Sequence, residues 1–362
     1  MQQTSFADAA EDFRYVLGGL PATRLIDSPE LALRARVGRV FLKAEWERPL
    51  GNFKVLGGMF AGLRALARSI GAASVAEMLD NPAPGRRLPQ LICASDGNHG
   101  LAVAAAARRA GAEAAIYLPM RVSNVRIERI KAQGARVVMI DGAYDDAVEA
   151  AENSAARGEG LLVPDTTSDP DNVVVGDVMA GYSLITRELI EQFRGDASQL
   201  PTHVFVQAGV GGLAAGLIKG FAGSMQTPCK WLIVEPDSAA CVARALAVGR
   251  PVRIDGALTT SADMLACGLA STPAIAILQS AGATSVVVDD EQLLAAKDAL
   301  RKTAGVETST SGAAGLAGLL NLVSQKKLCA AHGLGMDSRV LLLITEGPVA
   351  GDAAVRRLSR QL

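Results

Sequence analysis

The chain has 362 residues, with 36 Lys and Arg against 37 Asp and Glu, a formal charge of −1. At ~150 residues per domain this length predicts about two domains, and the near-neutral balance excludes a dedicated nucleic-acid or acidic-membrane binder, which needs a basic excess. Half of the residues are apolar, enough for a sizeable core, and 37 glycines with 4% aromatics disfavour sandwiches and barrels in favour of α/β units with tight Gly turns.

In chain order, Leu91–Ala94 reads as a buried strand, Gly100–Ala110 as an Ala-rich helix and Ala114–Leu118 as a strand. Val122–Gln133 has mostly helical apolar spacing, Arg136–Ile140 is a strand and Asp145–Ala156 a helix. This β-α-β-α-β-α order with short loops predicts a parallel sheet covered by helices. A second series follows: helix Met179–Phe193, strand Val204–Gln207, small-residue helix Gly212–Gly223, strand Trp231–Glu235, helix Glu291–Ala304 and strand Val340–Thr345. Asn81–Pro89 is a Pro- and Gly-rich loop, and Pro164–Asn172 is a polar break expected to cross between two α/β units.

The five cysteines (93, 229, 241, 267 and 329) form no CxxC, and an odd count disfavours both a disulfide framework and a Cys-rich zinc site. His99, His203 and His332 show no ligand spacing, so no metal is expected. The first twenty residues lack a basic stretch followed by an apolar core, and the longest apolar runs, such as Leu101–Ala107, are too short to span a bilayer. A cytoplasmic protein is the default expectation.

Four segments carry the residue types that chemistry needs. Gly209-Val210-Gly211-Gly212-Leu213-Ala214 follows a strand and opens a helix, so its backbone N–H groups and helix dipole suit an anion. It also fits the G-x-G-x-x-G/A pattern, with Glu235 ending the next strand where a dinucleotide fold puts its ribose acid; a plain tight turn is the alternative. Ser95-Asp96-Gly97-Asn98-His99-Gly100 repeats the strand–loop–helix context with polar side chains, although such a turn can be simple N-cap chemistry. Asn52-Phe53-Lys54 embeds a lysine in an apolar, Gly-flanked segment, where desolvation is expected to lower its pKa toward a nucleophilic amine rather than leave a solvated surface charge. Thr345-Glu346-Gly347 sits at the end of the last strand, the edge where open α/β sheets place ligands.

In this order the four segments resemble the fold-type II pyridoxal-phosphate enzymes, the group of the tryptophan synthase β-subunit and threonine dehydratase. Within it the chain is more closely similar to the 2,3-diaminopropionate ammonia-lyases, through FKVLGG (53–58), SDGNHG (95–100), PDT (164–166), MAGY (179–182), PTHVFVQAGVGGLAAG (201–216), VEPDSAAC (234–241), LACG (265–268), TSGAAGLAGL (310–319) and ITEG (344–347). The resemblance runs from about residue 20 to about 350. The chain departs from the lyase pattern at Gly51, at Pro348 and in a segment after Asp165 that lacks aromatics. The implied fold is two open, twisted parallel-sheet domains: residues 1–54 with 173–362 as the larger, cofactor-binding one, and 55–172 as the smaller. The implied cofactor is pyridoxal 5′-phosphate and the implied assembly a homodimer acting on a small amino acid, with no nucleic-acid or membrane partner.

The resemblance assigns Lys54 to covalent attachment of the cofactor and to proton transfer at the substrate Cα. It assigns Gly209, Val210, Gly211, Gly212 and Leu213 to the cofactor phosphate, Asn98 to the ring hydroxyl, Thr345 to the ring nitrogen, and the backbone of Ser95, Asp96, Gly97 and Asn98, beside His99, to the substrate carboxylate. Cys241 and Cys267 are expected close together at the rim of the site. The substrate expectation rests on two acids. Asp96, in the loop that grips a carboxylate, suits a substrate with a second amine, or a proton-transfer group on the face opposite Lys54 that admits both enantiomers of 2,3-diaminopropionate; Asp165 adds a second carboxylate beside the leaving amine. An N-cap and a solvated turn residue are the plain alternatives for the two. The expected reaction is α,β-elimination of 2,3-diaminopropionate to pyruvate and ammonia. A serine or threonine dehydratase is the runner-up, and a nicotinamide-dinucleotide oxidoreductase using Glu235 the distant alternative.

Overall fold

The computed structural model describes residues 12–348, apart from 20, 82–84, 86, 96, 121, 143, 195, 197–198 and 225–228. The described chain opens with α1 (Phe13–Leu17), β1 (Leu25–Asp27), α2 (Pro29–Ala35), β2 (Arg39–Lys43), α3 (Lys54–Ser69) and α4 (Val75–Asp80). It continues through β3 (Leu91–Ala94), α5 (Asn98–Ala110), β4 (Ala114–Pro119), α6 (Asn124–Lys131), β5 (Arg136–Ile140), α7 (Tyr144–Ala156) and β6 (Leu161–Leu162). A long α8 (Val173–Gln192) leads to β7 (His203–Gln207), α9 (Gly212–Phe221), β8 (Lys230–Pro236), α10 (Cys241–Val248), α11 (Thr272–Ser280), β9 (Thr284–Val288), α12 (Asp290–Ala299), α13 (Thr310–Ser324), α14 (Lys326–Ala331) and β10 (Arg339–Leu343).

These strands form two sheets. The larger has the order β1-β2-β10-β7-β8-β9, all parallel except the antiparallel edge strand β1. The smaller, β5-β4-β3-β6, is parallel throughout. The sequence explains which strands are central. LICA and AAIYLP are buried at every position, as strands covered by helices on both faces must be, whereas β9 (TSVVV) alternates burial at its sheet edge.

Local capping sets the helix ends. Asn172 accepts from Val175 N and starts α8 six residues ahead of the expected Met179, because the polar break supplies its own N-cap. Asp289 and Gln292 form a reciprocal capping box at α12, and the expected extension to Ala304 exists as a π turn over Leu300–Ala304. Helix α6 is shorter than its apolar spacing suggested, running over Asn124–Lys131.

Helix α3, which sequence periodicity did not single out, is almost entirely buried and packs against α5 and α8. Its contact with α8 is backbone to backbone. A Cβ built on Gly181 would lie 2.5 Å from Leu56 O and 2.7 Å from Gly57 Cα, and one on Gly57 would lie 2.5 Å from the Tyr182 ring. Below this crossing, an ion cluster ties β2 to α8: Lys43 donates to Glu188 at 2.6 Å and to Thr23 O at 2.9 Å, and Arg48 bridges Glu45 and Glu188. All four charges are buried, so each stands or falls with its partners. No described helix is long and apolar enough to cross a membrane.

Two glycines of α8 should therefore respond in opposite ways. Gly181→Ala overpacks the α3–α8 crossing and should destabilise the protein by about 1–3 kcal/mol. Gly176→Ala meets open space and should stabilise it by up to about 1 kcal/mol. Denaturant unfolding of the two variants checks the contrast.

Candidate active site

The carboxyl ends of both sheets face one cleft. Strand β3 delivers the Ser95–Asn98 loop, β7 delivers Gln207 and the Gly209–Gly212 loop, and β10 delivers Thr345 and Glu346, the edge that parallel sheets use for ligands. Lys54 enters from the start of α3. Its place is set by backbone pairing: Phe53 N donates to Thr345 O at 3.0 Å, Gly347 N donates to Gly51 O at 3.1 Å, and buried Asn52 accepts from Lys54 N at 3.0 Å.

Lys54 Nζ donates to Asp165 Oδ2 at 2.5 Å, with the two side chains 22% and 14% exposed. Desolvation alone would lower the lysine pKa, as expected from the sequence. The Asp165 carboxylate outweighs it, and the amine is held protonated, above its ordinary range. The correction has a plain cause: the sequence segment reveals the apolar surroundings of Lys54 but not an acid 111 residues away. Asp165 in turn sits at about 2, because burial, which raises it, is overcome by Lys54 and then by His99.

Around this pair stand two buried side-chain atoms without a hydrogen-bond partner among the described residues. His99 Nε2 lies 2.9 Å from Val163 O and so carries the proton, leaving Nδ1 an unpartnered acceptor; burial lowers the ring's pKa. The Tyr182 hydroxyl is buried and unpartnered at the cleft, and burial pushes it up to about 12. Tyr182 belongs to the MAGY segment, yet sequence reasoning gave it no role. Its one signal was a tyrosine among the small residues of a helix.

The glycine loop is built as an anion cradle. Gly211 adopts φ +93°, a conformation that favours glycine. The Val210 carbonyl accepts from Ser271 N at 3.0 Å, which turns the following N–H of Gly211 the other way, and the first turn of α9 adds N–H groups with no acceptor inside the helix. Gly209, Val210, Gly211, Gly212 and Leu213 all line the cleft. The SDGN loop is more committed. Ser95 Oγ accepts from Gly97 N and Gly100 N at 2.9 Å each, and Ser95 N donates to Tyr117 O. Asn98 donates its side-chain amide to Glu346, which also accepts from Ser309 Oγ. Burial raises the Glu346 pKa, moderated by those two donors. Asp96 lies outside the described residues. At the rim Arg126 of α6 meets Asp263 at 2.7 Å.

Two further expectations are resolved here. Cys241 Sγ donates to Gly209 O at 3.1 Å, and a Cβ on Gly209 would lie 3.0 Å from Cys267 Sγ, so both thiols flank one glycine at the cleft; no disulfide joins them. The dinucleotide alternative fails at Glu235. Its carboxylate is fully buried and accepts from Val242 N and Ala243 N at 2.7 Å each and from Ser285 Oγ at 3.2 Å, so it caps α10 and has no oxygen left for a ribose. Burial in that setting raises it to about 7.

Known proteins are similar to this chain in sequence and in fold. The family model described as pyridoxal-phosphate dependent enzyme matches residues 16–346. The diaminopropionate ammonia-lyase of Salmonella typhimurium is 31% identical, over 94% of this chain and 88% of its own. The crystal structure of the Escherichia coli diaminopropionate ammonia-lyase in complex with D-serine superposes with a TM-score of 0.85 at 30% identity, covering 99% of this chain and 92% of that one. The biosynthetic L-threonine dehydratase of Pasteurella multocida is 28% identical, over 82% of this chain but 52% of its own. With the cleft, the lysine and the glycine cradle all inside the matched residues, the chain belongs to the pyridoxal-phosphate dependent enzymes.

Proposed function

We propose that this protein is a pyridoxal-phosphate-dependent ammonia-lyase that converts 2,3-diaminopropionate and water to pyruvate and two ammonia. The residues present fit the cofactor. An amine, a glycine cradle for a phosphate, a hydroxyl at Thr345 and a buried, unpartnered Tyr182 hydroxyl face one cleft. Lys54 would bind the aldehyde, the Gly209–Leu213 loop the phosphate, Asn98 the ring hydroxyl and Thr345 the ring nitrogen. When bound, the cofactor supplies an electron sink that acidifies the substrate Cα. The first-turn N–H groups of α5, at Asn98 and His99, hold the substrate carboxylate, since the Ser95 and Gly97 amides are already engaged. Lys54 Nζ moves the Cα proton on one face, and Asp96 serves the other. We further propose a homodimer, with domains 1–54 plus 173–362 and 55–172. This division sets Lys54 at the seam and Asp165 across it.

The observation that carries the substrate assignment is the Lys54–Asp165 pair. Asp165 is a largely buried carboxylate whose ionised form is held against burial by a neighbouring cation. Once Lys54 is engaged elsewhere, the 3-ammonium group of a diamino acid takes its place. A hydroxyl leaving group leaves the buried charge uncompensated, which costs several kcal/mol. The Lys54 position itself is supported by its entry into the cleft between two anion-binding loops.

Four outcomes are expected. Borohydride reduction of the holoenzyme and peptide mapping should find the cofactor on Lys54; label on another lysine removes the assignment. In a panel of D- and L-2,3-diaminopropionate, L-serine and L-threonine, diaminopropionate should be turned over with kcat/KM at least about a hundredfold higher and two ammonia per pyruvate. Asp165→Asn should erase most of that preference, and faster turnover of serine or threonine by the unmodified protein would overturn the lyase reading. Asp96→Asn should spare one enantiomer of diaminopropionate and slow the other by about 10²–10⁴-fold, the usual contribution of one general base; equal rates on both would remove Asp96 from proton transfer.

A further inference from the structure

The carboxamide of Gln207, at the end of β7, is buried and its orientation is set by its neighbours. Nε2 lies 3.1 Å from Ser311 O, 3.3 Å from Gly312 O, 3.1 Å from Leu343 O and 2.9 Å from Thr345 Oγ1. A flipped amide would press its oxygen against three carbonyl oxygens, so the nitrogen occupies this place. Oε1, on the far side, has no partner. An amide nitrogen carries no usable lone pair, so the 2.9 Å contact runs one way: Gln207 donates and the Thr345 hydroxyl accepts. The amide's two N–H bonds are shared among this oxygen and the three carbonyls, and the shortest contact is the one to Thr345; with a lone pair engaged there, the Thr345 hydroxyl keeps its own proton for another acceptor, and Thr345 lines the cleft.

We propose that Gln207 is a positioning residue that fixes the Thr345 hydroxyl as a hydrogen-bond donor to an unprotonated ring nitrogen of the cofactor. The inference rests on the proposed contact between Thr345 and that nitrogen. A threonine hydroxyl left to itself beside backbone carbonyls donates to one of them and turns a lone pair toward the ring. Gln207 competes for those carbonyls with its two N–H bonds and donates to the hydroxyl lone pair at the shortest of the four contacts. It thus selects the one hydroxyl orientation that serves a neutral pyridine. The role proposed for Gln207 is indirect: it acts through Thr345.

The test compares equilibrium binding of pyridoxal phosphate with that of its 1-deaza analogue, in which CH replaces the ring nitrogen, by fluorescence quenching on reconstitution of the apoprotein. The unmodified protein should prefer the natural cofactor about tenfold, the worth of one such hydrogen bond. Thr345→Val and Gln207→Met should each reduce the preference to within about twofold, and the double variant should lose nothing more. A residue that merely braces β10 against α13 would weaken both ligands alike and leave their ratio unchanged, so an unchanged ratio in Gln207→Met overturns the proposal. If Thr345→Val keeps the preference, the Thr345 contact falls and Gln207 with it. If Thr345→Val loses it while Gln207→Met retains it, the Gln207 role alone falls. Should Gln207→Met not fold, Gln207→Leu enters the same comparison.

Discussion

A lysine ammonium and a carboxylate held 2.5 Å apart in a largely closed cleft are the interaction on which the site depends. Each charge is mostly withdrawn from water, and each is tolerable because the other is present. The pair also joins the two sheets, since Lys54 opens α3 beside the end of β10 and Asp165 follows β6. The site therefore exists only where the two α/β units meet, and anything that separates them exposes two charges with opposite pKa displacements.

Placing Lys54 within hydrogen-bond reach of Asp165 needs a stiff support. Its support is α3, held at its start by pairing with the segment after β10 and along its length by close packing on α5 and α8. Glycines at 57 and 181 let the helices approach until backbone touches backbone. The buried Lys43–Glu188–Arg48 cluster fixes the other end of the α8 contact through directed bonds. A loop in place of α3 would leave the amine position free to drift.

The sequence made the strands and the anion-binding loops legible because both are local patterns. LICA and HVFVQ are short apolar runs followed closely by glycine and polar residues, and both became strands ending at the cleft. The family likeness extended this to Lys54, Asn98 and Thr345, which do face one cavity. The misses are long-range and polar. The sign of the Lys54 shift depended on Asp165, the use of Glu235 on the amides of α10, and the significance of Gln207 on carbonyls from α13 and β10. Tyr182 and Glu346 lay inside quoted segments, but nothing in the order of residues said that one hydroxyl would be buried without a partner or that one carboxylate would take two donors.

These polar contacts divide the cleft into two electrostatic halves. On the amine side stand Lys54 and Asp165, fully charged and mutually compensated. On the strand-end side stand Thr345 and Gln207, neutral groups linked by one directed hydrogen bond. A carboxylate at position 345 would stabilise a protonated ring and make it a strong electron sink. With Thr345 at the ring nitrogen, as proposed, a neutral hydroxyl would supply no such countercharge, and the bound ring would be a weaker electron sink, better suited to loss of a β-substituent than to storage of charge. A second ammonium on the proposed substrate would leave from the half of the cleft that holds the Asp165 carboxylate. Under the proposed assignments, a compensated carboxylate would stand beside the leaving group and a neutral hydroxyl at the ring nitrogen, an arrangement that suits elimination of an amine.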